Sequence, residues 1–146
     1  MQNYSQHQYR QTEISTADRG RLVVLLYEGA INFLKKAKND VQEGNVEAKC
    51  NNITRAQDII QELNNSLKMD EGGEIAGNLR SLYFFMERYL VKAKIERDGI
   101  KKMDEVITML TSLYDVWVEI LTKPEVKSII PTDTATSSGL SRGINA

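Results

Sequence analysis

Apolar side chains recur at spacings of three and four in four blocks of the chain, each long enough for a helix. In the first block Leu22, Leu26, Ala30, Phe33 and Ala37 make one buried stripe. Val23, Val24, Tyr27, Ile31 and Leu34 carry the apolar surface onward to about 200° of the circumference, where a core-facing helix needs roughly 100°. Ser15 or Thr16 can cap this helix, which is predicted to run to residue 43 and to stop at Gly44. A second helix over 46–67 carries a narrower stripe of Ile53, Ala56, Ile60, Leu63 and Leu67. Gly72 and Gly73 then make a turn.

The third helix, predicted over 74–98, has a main stripe of Ile75, Leu79, Leu82, Met86, Tyr89, Leu90 and Ala93. Phe84, Val91 and Ile95 form a second ridge on nearly the opposite side. Gly99 permits another tight turn. The fourth helix, over 101–121, is built on Met103, Val106, Ile107, Leu110, Leu113, Tyr114, Trp117 and Leu121, with Val116 and Ile120 widening its apolar arc to about 200°. Four helices joined by short turns predict an all-α, antiparallel four-helix bundle over residues 16–122. Residues 1–15 are polar and Gln-rich, with Tyr4, Tyr9 and Ile14 as isolated apolar pegs, and read as a flexible N-terminal segment. Residues 123–146 read as a C-terminal tail, with a short helical turn in the stretch between Pro124 and Pro131 followed by a composition typical of disorder.

The surplus of apolar surface predicts a partner. A Val, Leu or Phe left in water forgoes about 1.5–3 kcal/mol, and a contiguous patch of them on a small protein marks an interaction site. The occupant could be a second copy, the protein's own tails or an amphipathic helix from another protein. A chain of 146 residues fits one domain with its own core. Its formal net charge of -1 gives no general attraction for nucleic acid or anionic lipid, so neither nucleic-acid binding nor membrane insertion is expected. One cysteine, Cys50, cannot form an internal disulfide, and the first residues lack the pattern of a secretory signal, which leads us to expect a cytoplasmic protein.

Residues suited to catalysis are scarce. His7 is the single histidine and lies in the N-terminal segment, so the helices hold no Glu-x-x-His pair for a metal and no histidine for phosphotransfer. Cys50 has no neighbouring histidine and reads as a small packed side chain. The acidic turn at Asp70–Glu74 lacks calcium-loop spacing, and there is no phosphate-binding Gly-Lys-Ser loop. No enzyme activity, catalytic residue, metal or cofactor is therefore expected. Lys35, Lys36 and Lys38, and the group Lys92, Lys94, Arg97, Lys101 and Lys102, read as solvated faces.

Five stretches in order resemble the flagellar secretion chaperone family, FliS. Tyr9, Ile14 and "TAD" at Thr16–Asp18 precede Leu22 and "LYEGA" at Leu26–Ala30. "RAQDIIQELNNSL" resembles the family's second helix, "GGEIAGNLRSLYFFMERYLVKA" its third and "EVITMLTSLYDVW" its fourth. Arg19 stands where the family usually has proline, and Phe84 where it usually has an acidic residue. The resemblance implies an export chaperone. Such a protein holds the disordered C-terminal segment of flagellin, prevents premature polymerisation and aids delivery to the flagellar type III export gate, with other flagellar regulators among its partners. Residues expected to touch the client are Val24, Tyr27, Ile31, Phe84, Val91, Ile95, Val116 and Ile120. Tyr4, Tyr9 and Ile14 are expected to cover the empty groove or to serve handover to the gate. A monomer or weak dimer is expected, and the alternative is a homo-oligomeric bundle that uses the same surface to pair with itself.

Overall fold

The computed structural model describes residues 16–67 and 69–122. They form four helices, α1 (Thr16–Gln42), α2 (Val46–Asn65), α3 (Met69–Ile95) and α4 (Ile100–Thr122), with no strand among the described residues. The segments expected to be flexible, 1–15 and 123–146, lie outside the described residues, and with them Tyr4, Tyr9, Ile14 and His7. Short turns make consecutive helices antiparallel. Helix α1 packs against α2 and α4, and α3 closes the square by packing against the same two.

Each turn has a local cause. At the end of α1 the chain reverses through Gly44, whose φ of 73° is favoured by the absence of a Cβ. Its N–H donates to the Val41 carbonyl, and the Asn45 N–H donates to that of Asp40. Asn45 then accepts from the Ala48 N–H at 3.0 Å and so caps α2. The predicted break at Gly72–Gly73 is a kink: α3 begins at Met69, five residues earlier than the sequence suggests, and bends at Gly73 with φ 57° and ψ −138°. At the last turn Gly99 has φ 69°, and a Cβ there would lie 2.5 Å from the Ala93 carbonyl oxygen. The Asp98 carboxylate accepts from the Ile100 N–H at 2.8 Å and caps α4.

The core runs the length of the square. From α2 come Ile53, Ala56, Ile60 and Leu63, from α3 Ala76, Tyr83, Met86, Leu90 and Ala93, and from α4 Met103, Val106, Leu110 and Trp117. On α3 Ala76 and Tyr83 are buried where the predicted Ile75, Leu79, Leu82 and Tyr89 are only partly covered, but α2 and α4 follow the predicted stripes. Helix α1 does not. Its buried face is Val23, Tyr27, Ala30, Ile31, Leu34 and Ala37, while Leu22, expected in the core, is 47% exposed and Leu26 and Phe33 are only partly covered. The helix is rotated toward the half of its arc that the sequence reading had assigned to the surface. The physical reason is polar. Tyr27 turned inward finds hydrogen-bond partners on α3 and α4, and the small residues Gly29 and Ala30 let α2 approach so closely that a Cβ at Gly29 would stand 3.2 Å from Ile59.

Candidate functional site

The most buried polar cluster joins three helices. The Tyr27 hydroxyl, on α1, shares a short hydrogen bond with the Tyr83 hydroxyl of α3 and accepts from the Trp117 indole N–H of α4 at 3.2 Å. Burial pushes both tyrosine hydroxyls up from their ordinary range, Tyr83 strongly, and each holds its proton more firmly in the fold than in water. This is a structural network. It gives three large aromatic side chains satisfied polar tips inside a core, and it ties α1 to α3 although the two helices are diagonal in the square. Tyr27 and Ile31 therefore do not belong to an apolar outer surface, which corrects the expectation for both: Tyr27 has no exposed area and Ile31 is buried.

The other expected contact residues divide by helix. Val24 and Ile120 are half-buried, packed against the edge of the core. Phe84 is 49% exposed, Val91 47%, Ile95 80% and Val116 52%. Phe84 shares a cleft with Ile60, Gln61, Asn64 and Asn65 of α2 and with Arg80, Tyr83 and Glu87 of its own helix, which sets it on the α2 flank of α3. Val91 and Ile95, seven and eleven residues on, continue the same line. On the opposite flank Phe85 stacks on Tyr89 with ring centroids 4.4 Å apart, and the Lys102 ammonium of α4 sits over the Tyr89 ring. Lys102 thus faces α3, and Met109, Val116 and Ile120, seven, fourteen and eighteen residues further along, lie on the same side of α4. Helix α3 thus has apolar groups along both of its outer flanks, and the ridge that includes Phe84 is the longer exposed one.

Charged side chains border that ridge: Arg80 and Glu87 line the cleft at Phe84, and Arg88 falls between Phe84 and Val91 on the same line. Glu87 has one carboxylate oxygen buried without a hydrogen-bond partner, and desolvation raises its pKa against the lowering influence of Lys94. A second cleft lies on the far side of α2, where Leu22, Leu25 and Leu26 of α1 face Ile59, with Asp58 and Glu62 at its rim.

Lys49 is the polar residue that the sequence reading passed over. Its side chain is buried, and its ammonium donates to the Glu96 carbonyl at the end of α3, at 2.7 Å. The signal was there in the spacing: positions 49, 53, 56, 60 and 63 are one stripe, with a lysine at its first member. Cys50 packs beside it, its thiol directed at the Lys94 carbonyl. Among the described residues no group of three or more histidine, cysteine or acidic side chains could hold a metal ion, and no helix is long and apolar enough to cross a membrane.

The chain matches the family model described as "Flagellar protein FliS" over residues 1–124. It is 33% identical over 113 residues to the flagellar secretion chaperone FliS of Bacillus subtilis, covering 77% of this chain and 83% of that one. To the protein of the same name from Vibrio cholerae it is 34% identical over 109 residues, 75% of this chain and 79% of the relative. Against that of Salmonella typhimurium the figures are 32% over 114 residues, 77% and 84%. These relatives are named as chaperones, a class without catalytic chemistry, in keeping with a bundle whose polar interior is devoted to packing. With a match that spans all four helices, this chain belongs to the FliS family of flagellar secretion chaperones.

Proposed function

We propose that the protein is a cytoplasmic export chaperone that holds the C-terminal segment of flagellin before filament assembly and delivers it to the export gate. The observation that carries this reading is the exposed apolar line Phe84, Val91 and Ile95 along α3, with Val116 and Ile120 across its other flank. An amphipathic client helix removed from its filament neighbours has the same uncovered stripe, and laying one against the other removes both from water. Ordering a disordered client costs about 1–2 kcal/mol per residue, so a long apolar contact wrapped around α3 suits the task better than a few polar locks. Val24 and Ile120, half-buried at the edge, would be reached only by a client that displaces part of that edge.

In this reading Tyr4, Tyr9 and Ile14 shield the ridge when no client is bound or assist handover, and deletion of residues 1–14 raises the binding of a hydrophobic dye to the empty protein. The direct experiment is co-purification with a peptide of the flagellin C-terminal segment. Wild type retains the peptide, and Val91→Asp and Val116→Asp, both on exposed positions and folded by circular dichroism, lose at least ten-fold in capture. Equal capture by folded variants would refute the assigned contact surface. A stable dimer by light scattering whose interface occupies the ridge would favour the self-pairing bundle instead.

A further inference from the structure

The cleft between α1 and α2 is not part of the client surface just described, and nothing so far accounts for it. Its floor is Leu22, Leu25, Leu26 and Ile59. Leu22 and Leu25 are among the most exposed large apolar residues of the bundle, although they begin a helix with ample core-facing alternatives. Its rim is acidic: Asp58 and Glu62, four residues apart on α2, form no ion pair with any described residue. A greasy cleft whose two rim carboxylates pair with no described cation fits a short apolar segment carrying a positive charge.

We infer that the C-terminal segment of this same chain, residues 123–146, docks in the α1–α2 cleft, seated through Ile129 and Ile130 with Lys127 against the Asp58 and Glu62 carboxylates. Three observations support this occupant. The first is position. Because consecutive helices are antiparallel, α4 ends at Thr122 at the end of the bundle where α1 begins, and the cleft opens about two turns above that end. The second is reach. Ile129 is seven residues beyond Thr122, and at roughly 3.3–3.6 Å per extended residue the intervening chain spans about 24 Å. That is enough to pass a helix about 10 Å across and rise to Leu22. The third is chemistry. Ile129 and Ile130 are the strongest apolar pair in the segment, and Lys127 lies beside them. In the N-terminal segment Glu13 sits next to Ile14, which would set a like charge against the same rim.

The docked segment covers Leu22 and Leu25 from water, so a free cleft in solution is short-lived, and the client ridge on α3 stays open. The test uses full-length protein with the Leu and Ile methyl groups followed by NMR. In Ile129→Ser/Ile130→Ser the Leu22, Leu25 and Ile59 methyl signals move, while in Tyr9→Ala/Ile14→Ala they stay. In Asp58→Lys/Glu62→Lys, whose exposed substitutions leave the fold intact, the amide signals of residues 127–130 acquire the fast motion of a free chain. A second arm replaces Cys50 with Ser and compares Leu25→Cys/Ile130→Cys with Leu25→Cys/Ile14→Cys. On oxidation the first pair closes an intramolecular disulfide at least ten times faster, as only close approach of the Cα atoms permits. The inference is overturned if the cleft methyls ignore the Ile129 and Ile130 changes, if they respond to the N-terminal changes instead, or if they move with dilution, which would put a second copy in the cleft.

Discussion

Tyr83 and Phe84 are consecutive residues of nearly the same size, and the bundle treats them in opposite ways. Tyr83 is sealed in the core with its hydroxyl bonded to Tyr27, whereas Phe84, one residue on and about 100° further round the helix, has half of its surface in water. The polar-tipped ring is inside because α1 brings the Tyr27 hydroxyl to its tip, itself held by Trp117 of α4, and the wholly apolar ring is outside where no described helix covers it. Hydrophobicity alone would have ranked them the other way. Apolar content on a helix therefore separates into a part that a core absorbs and a part that stays available, and the division is set by which side chains meet from distant helices.

The largest effect expected on this contrast comes from the absorbed part. Leu34→Ala, at a fully buried α1 position, should lower stability by about 2–5 kcal/mol in urea titration, and a value below 1 would mean that α1 does not face inward as described. Next comes Tyr27→Phe. It keeps the ring but leaves the Tyr83 hydroxyl and the Trp117 N–H without their partner, and chemical denaturation should show a loss of about 1–3 kcal/mol.

The same pair predicts a pH dependence. Their folded pKa values lie above the unfolded ones, so this contribution to stability is whole below about pH 10 and is lost as pH rises through the raised folded values. Tyrosinate absorbance should therefore show two residues ionising late, together with unfolding. Smallest of all is the outcome at the ridge: Ile95→Asp should shift stability by no more than about 0.5 kcal/mol, because the side chain is already four-fifths exposed. A large destabilisation there would erase the distinction between the two classes of apolar residue.

Much of the architecture was legible because it depends on local signals. Gly44 and Gly99 mark two of the turns, and the stripes of α2 and α4 point to the faces they bury. The exposed ridge at Phe84, Val91 and Ile95 was legible for the same reason, since it stands well away from its helix's main stripe. The facing of α1 was not. An apolar arc of about 200° is compatible with several rotations, and the choice rests on Tyr83 and Trp117, which are 56 and 90 residues away from Tyr27 in sequence. Tyr27 and Ile31 were misassigned to the outer surface on that account. Lys49 was missed because a lysine is ordinarily solvated, and only the carbonyl of a residue 47 positions later gives its ammonium a place indoors.

That lysine anchors one laced pole of the molecule. Around the turns at Gly44 and Gly99 the helices are laced by Lys49 to Glu96, Lys94 to Thr54, Asn52 to Asp40, Lys38 to Asp104 and Lys102 to Glu96. In the half of the bundle that holds the kink at Gly73, the helices are linked by Arg80 to Asn64, Tyr114 to Glu28 and the Tyr27, Tyr83 and Trp117 network. Amide protons around Lys49 should accordingly exchange slowly, and a cargo that parts the helices would find this laced end the hardest to open, so that it serves as the hinge.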